Sequence, residues 1–87
     1  MPRVTSDAAV YVGQLIGDER PRVAMTQDEL AAASGIDSAN IRAYEKGRSM
    51  PSIHTPLRIA KGLGVEPGVL LDGLTLELFA KSARASG

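Results

Sequence analysis

Apolar residues recur along this chain at helical spacing, and short polar or glycine-containing stretches separate one recurring run from the next. No sustained alternation of apolar and polar residues occurs before residue 74, which argues against strands. Alanine and leucine are abundant, whereas aromatic residues make up 3% of the chain. This pattern is typical of an all-α protein, and it predicts five short helices.

The first predicted helix runs from about Asp7 to about Glu19, with Ser6 as its N-cap. Pro21 should end it, because proline disfavours helical backbone in the residue before it. Two glycines lie inside this helix, and each costs roughly 0.5–1 kcal/mol relative to alanine. The helix must therefore depend on packing against the rest of the protein.

The second helix has the clearest start, since Thr26 and Glu29 have the spacing of a capping box. Gly35 is predicted to close this helix in the left-handed conformation. A third helix over residues 37–46 follows directly and should stop at Gly47. Two short helices joined by a tight turn are therefore predicted in the middle of the chain.

The fourth helix is predicted to begin after Ser52, as its N-cap, and to end at Gly64. Its predicted buried stripe consists of Ile53, Leu57, Ala60 and Leu63. Pro67 opens a short fifth helix that ends before Asp72. Residues 74–79 fit either a short strand or one face of a helix, so their conformation stays open at this stage.

Composition excludes several classes of function. The chain of 87 residues is long enough for one small domain. It has no cysteine, and its single histidine, His54, has no nucleophile or orienting carboxylate at a catalytic spacing. No apolar run is long enough to cross a bilayer. We therefore predict a cytoplasmic protein that is not an enzyme and that needs no metal and no cofactor.

The formal net charge is zero, but the charges are unevenly distributed along the chain. Residues 1–37 carry three basic and six acidic residues, a net charge of −3. Residues 38–65 carry five basic residues against Glu45 alone, a net charge of +4, and the remainder carries −1. The middle segment is therefore the part of the chain that would face a polyanion.

The predicted third helix divides into an apolar face and a small or basic face. Ile41 and Tyr44 point to one side, and Ser38, Ala39, Arg42 and Lys46 point to the other. A helix enters the major groove of DNA, about 12 Å wide, only if its outward side chains are slim. Arg42 would then donate a bidentate pair of hydrogen bonds to guanine. Any solvent-facing helix has a similar composition, so this face alone does not establish DNA binding.

The ordered set of residues from Thr26 to Val65 resembles the Cro/repressor-type helix-turn-helix domain, the Xre family. Single elements of the pattern are weak signals, but the whole set is specific. The matching residues are Thr26, Gln27, Glu29, Leu30, Ala31, Gly35, Ile36, Ile41, Glu45, Gly47, Pro51, Ala60, Leu63, Gly64 and Val65. With looser matches on both sides, the resemblance covers about residues 7–73.

The resemblance implies a lambda-repressor-like bundle of five short helices, whose third helix lies in the major groove. Residues 1–73 would form the helix-turn-helix DNA-binding domain, and residues 74–87 a short C-terminal extension. Carried over position by position, the base contacts are Ser38, Ala39, Arg42 and Ala43. The phosphate contacts, at or beside the family's positions, are Gln27, Asn40, Lys46, Arg48, Ser52 and Ile53.

The resemblance also pairs Arg20 with Glu45, a contact that would mainly fix how two helices meet. The chain departs from the family pattern at Pro21, which leaves Arg22 as an alternative partner for Glu45.

Two functions remain open from the sequence. The first is a sequence-specific transcriptional regulator, a repressor that binds double-stranded DNA as a homodimer on a pseudo-palindromic operator. The second is an antitoxin or adaptor that binds a partner protein through residues 66–79. Either function would use apolar side chains that exceed the needs of a small core, namely Val69, Leu70, Leu74, Leu76, Leu78 and Phe79.

Overall fold

The computed structural model describes residues 7–79 of the chain. Its elements, in order, are α1 (Asp7–Arg22), α2 (Gln27–Ser34), α3 (Ser38–Glu45), α4 (His54–Leu63) and a 3₁₀ helix (Pro67–Leu71). A further helical turn occupies residues 76–79, and no strand occurs within the described range. The all-α prediction is confirmed. Among residues 7–79, no helix combines the length and the apolar character that a bilayer span requires.

A single apolar core joins the five elements. Each short helix contributes a few side chains to it, so the helices are stabilised by one another more than by their own propensity. The buried members are Val12, Ile16, Leu30, Ile41, Ile59, Ala60, Leu63 and Leu70.

α1 extends nearly one turn further than predicted, through Pro21 to Arg22. A proline in the last turn removes only one amide hydrogen bond, and the amide of Val23 still donates to the carbonyl of Glu19 at 3.1 Å. The prediction that the helix ends near Glu19 is therefore wrong. Its predicted N-cap, Ser6, lies outside the described residues.

The predicted caps of α2 are confirmed. The Thr26 hydroxyl accepts a hydrogen bond from the Glu29 amide at 3.0 Å, and the Glu29 carboxylate accepts one from the Thr26 amide at 2.8 Å. Gly35 closes the helix with a φ of +73°. Asp37 occupies the N-cap position of α3, but its side chain makes no capping hydrogen bond there.

The structure buries half of the stripe predicted for α4, Ala60 and Leu63, and exposes the other half. Ile53 is 79% exposed and Leu57 is 52% exposed. Both the predicted and the observed series have helical spacing, so periodicity alone could not choose between them. Ser52 is not the N-cap, because that position belongs to Ile53. The buried residues of α4 are Pro56, Ile59, Ala60 and Leu63.

Candidate nucleic-acid interface

The turn between α2 and α3 is short and is held by backbone hydrogen bonds. The amides of Gly35 and Ile36 both donate to the carbonyl of Ala31, at 2.9 and 3.2 Å. The Ile36 side chain packs against the core. The backbone geometry of residues 35–37 therefore determines how α3 projects from α2.

α3 has the two-sided character that its sequence predicts. Ile41 is fully buried, and Tyr44 packs against the core beside it. On the other side Ala39, Asn40 and Arg42 are exposed. The remaining residues predicted to contact bases, Ser38 and Ala43, are half-buried. The outward surface is thus built from small side chains around a single long cation.

The residues predicted to contact phosphate differ in their surroundings. Gln27 is half-buried at the first turn of α2, and its side-chain amide donates to the Glu45 carboxylate at 3.0 Å. The other five are exposed, and they lie in α3, in the loop after it and at the start of α4: Asn40, Lys46, Arg48, Ser52 and Ile53.

A hydrogen-bonded cluster ties three helices together next to this surface. Arg20 of α1 donates to both carboxylate oxygens of Glu45, from Nε at 2.7 Å and from Nη2 at 3.2 Å. Its third nitrogen, Nη1, donates to the carbonyl of Met25 at 2.8 Å. With Gln27 bound to the same carboxylate, α1, α2 and α3 meet at one group. The predicted Arg20–Glu45 pair is present.

The cluster also pairs the acidic charge at the end of α3 with a basic one. Hydrogen bonding to Glu45 raises the pKa of Arg20, and the attraction between the two charges adds to this effect, whereas burial opposes it. Arg22, the alternative partner, instead donates to Glu19 at 3.3 Å. The Glu45 carboxylate is therefore neutralised by Arg20 and does not offset the nearby exposed cations.

Arg58 has a role that the sequence does not indicate, since in the sequence it is only one more positive charge of the middle segment. From α4, its Nε donates to the carbonyl of Ser34 and its Nη2 to the carbonyl of Gly35, both at 3.1 Å. Arg58 thus satisfies two backbone carbonyls at the C-terminal end of α2. No local motif signals this contact, because its partners are distant in sequence.

We expect Arg58→Met to lower the free energy of unfolding by about 1 kcal/mol, because it removes two hydrogen bonds but keeps the aliphatic stem. Lys61→Met is the matched control, since Lys61 is another exposed cation of α4 and its side chain makes no hydrogen bond or ion pair within the described residues. The control should change stability by less than about 0.5 kcal/mol. Urea unfolding measures both variants, and equal losses would show that Arg58 adds nothing to the turn.

Three known proteins resemble this chain, one in sequence and two in both sequence and fold. A relative from Methanothermobacter thermautotrophicus, described as an uncharacterized HTH-type transcriptional regulator, is 44% identical over 52 residues, which are 60% of this chain and 75% of the relative. The crystal structure of the restriction-modification controller protein C.AhdI from Aeromonas hydrophila matches with a TM-score of 0.69 and 31% identity, covering 71% of this chain and 94% of that one. The wild-type controller protein C.Esp1396I matches with a TM-score of 0.70 and 28% identity, covering 85% and 95%.

The fold and the exposed third helix define a helix-turn-helix protein. The sequence profile of the helix-turn-helix family HTH_3 matches residues 22–70, and the chain belongs to this family. The resemblance stated from the sequence is confirmed, and so is the prediction of a DNA-binding transcriptional regulator.

Proposed function

We propose that this protein is a cytoplasmic repressor that binds a pseudo-palindromic operator as a homodimer, with α3 of each copy in the major groove. A single module of this size buries too little surface for tight specific binding, so two copies would occupy half-sites about 34 Å apart on one face of the duplex. Repression would follow from occupancy of the operator.

The observation that carries this proposal is the two-sided character of α3. Ile41 anchors the helix in the core, while small residues leave the outer surface slim enough to approach the base edges. Arg42 is the exposed long side chain on that surface and would donate to guanine O6 and N7. Lys46 and Arg48 follow it and would bind phosphates.

The test is selection of bound sequences from random DNA, followed by gel shifts at physiological salt. A palindromic consensus with the expected half-site spacing would support the proposal. Binding without any preference among sequences would contradict it. Because the solved structures that this chain resembles are restriction-modification controllers, promoters of such systems are the first natural operators to test.

Two arginine variants separate base reading from phosphate binding. We expect Arg42→Ala to lower discrimination at one base pair by about 1–3 kcal/mol, because it removes a bidentate contact with guanine. Arg48→Ala should weaken binding to all sequences alike and make the negative slope of log K against log salt concentration shallower by about 0.9, because one phosphate counterion fewer is released on binding. Binding titrations on the selected operator and on scrambled DNA, at several salt concentrations, measure both effects. If Arg42→Ala instead lowers the affinity for all DNA sequences equally, Arg42 contacts a phosphate and not a base.

The homodimer needs apolar surface that the single chain leaves uncovered. Leu70 is fully buried in the chain's own core, and Leu74 packs against that core, so neither is available as first proposed from the sequence. Leu76 is 86% exposed and Phe79 is 42% exposed. These two side chains, in the last described turn, support association through the C-terminal part of the chain.

A further inference from the structure

A groove runs between the second half of α1 and the 3₁₀ helix. It has a volume of about 430 Å³. Leu15 and Val69 give it apolar walls, and Gly68 leaves one side open, because a Cβ atom there would meet nothing within 4 Å. The other lining residues are all acidic: Glu19, Glu66 and Asp72.

Two of the three carboxylates are available to a cationic partner. Glu19 already accepts a hydrogen bond from Arg22. The side chains of Glu66 and Asp72 make no hydrogen bond or ion pair within residues 7–79. The groove therefore fits an occupant with an apolar part for Leu15 and Val69 and two positive charges for its acidic edge.

The chain's own C-terminal segment has this chemistry. Phe79 is partly exposed, and Lys81 and Arg84 follow it as the two basic residues beyond Leu63. Even when fully extended, the chain can place the backbone of Lys81 at most about 7 Å from Phe79. It can place the backbone of Arg84 at most about 17 Å from Phe79. Asp72 lines the groove and lies a few residues before Phe79, so each copy carries its groove close to the start of its tail.

The exposed side chains before the C-terminal segment favour binding of that segment to a second copy over binding to the groove of its own chain. Leu76 is 86% exposed and Phe79 is 42% exposed in their own protomer, and neither side chain lines its groove. In a two-fold symmetric dimer each copy offers its groove to the exposed side chains of the other, so the two contacts are identical. A small domain gains stability from such association because it buries a small fraction of its own surface.

We infer that the homodimer forms by reciprocal exchange, in which the C-terminal segment of each copy, residues 76–84, occupies the groove of the other. Lys81 and Arg84 of one protomer pair with Glu66 and Asp72 of its partner. This inference rests on the homodimer of the proposed function, and it identifies the surface that the dimer uses.

Charge reversal and mixing test this exchange on the full chain. One variant carries Lys81→Glu and Arg84→Glu, and the other carries Glu66→Lys and Asp72→Lys. Each alone should raise the dimer dissociation constant at least about tenfold, because every ion pair becomes a repulsion. An equimolar mixture should restore a heterodimer, since the acidic tail then meets the basic groove and the original pairing persists on the other side. Sedimentation velocity and native mass spectrometry measure both results.

A third variant tests the groove without changing charge. Gly68→Leu would place a side chain in the open side of the groove, where it meets no atom of its own protomer within 4 Å of Cβ. We expect it to fold with an unchanged melting temperature at concentrations where the wild type is monomeric, and to dimerise at least about tenfold more weakly.

The outcomes separate this inference from the proposed function. A wild-type dimer that is unaffected by the variants, or that is weakened by them without restoration in the mixture, overturns the exchange but leaves a repressor dimer intact. A wild type that stays monomeric at micromolar concentration overturns the exchange and the homodimer together. Binding of a single half-site, measured in parallel, reports on DNA recognition alone.

Discussion

Gly13→Ala is expected to lower the free energy of unfolding by about 3 kcal/mol, although helix propensity alone predicts a gain of roughly 0.5–1 kcal/mol. α1 crosses α3 so closely at this point that an added Cβ atom would clash with the carbonyl oxygen of Tyr44. A backbone carbonyl at the end of a helix cannot rotate away as a side chain can. The helices would have to separate, and the core between them, including Ile41, would lose contacts.

Gly17→Ala is the matched control, because Gly17 lies one turn further along the same helix and the same substitution is made. A Cβ atom there would meet the Glu45 side chain at 3.9 Å, an ordinary van der Waals distance. We expect this variant to gain up to about 1 kcal/mol. Urea and thermal unfolding measure both, and the loss at Gly13 corresponds to a melting temperature lower by roughly 12–24 °C. Equal gains for the two variants would mean that α1 and α3 do not approach this closely.

Local signals in the sequence determined most of the fold that could be predicted. The capping box of Thr26 and Glu29 and the left-handed Gly35 involve residues within one helix, so their spacing is visible in one sequence. The same is true of Ile41, whose burial follows from the two faces of α3. The candidate DNA-binding surface was predictable for this reason, since it is one face of one short helix.

Features that depend on packing between distant segments were not predictable in this way. From the sequence, the two glycines of α1 only predict a less stable helix. The reason for Gly13 is a backbone carbonyl of another helix, and the sequence does not show that contact. From the sequence, Arg58 is only one of the positive charges that would face DNA. Its hydrogen-bond acceptors are backbone carbonyls at the end of α2, more than 20 residues earlier in the chain. The stripe of α4 was ambiguous, since Ile53 and Leu57 have the same helical spacing as the residues that the core selects.

Glu45→Leu is expected to lower the free energy of unfolding by about 2–4 kcal/mol. The side chains of Arg20 and Glu45 are only 20% and 10% exposed, and removal of the acid leaves a partly buried guanidinium and the Gln27 amide without their shared acceptor. Removal of one member of a fully buried pair costs about 3–5 kcal/mol, and the residual exposure here reduces that cost. Glu19→Leu is the control, because its partner Arg22 is largely exposed, and it should cost less than about 1 kcal/mol.

The double variant Arg20→Met with Glu45→Leu distinguishes a charge left unpaired from a pair that is itself stabilising. Apolar replacements of both partners can be neutral or better, so we expect the double variant to recover most of the stability lost by Glu45→Leu in a double-mutant cycle. A double variant that stays as unstable as Glu45→Leu would instead show that the intact pair contributes net stability, and strictly additive losses would show that the two side chains are not coupled. DNA binding adds an independent measurement, because Arg20→Met alone leaves the Glu45 carboxylate unneutralised beside Lys46, the exposed cation that follows it. That single variant should bind every DNA sequence more weakly than the double variant, and the difference should shrink as salt screens the carboxylate.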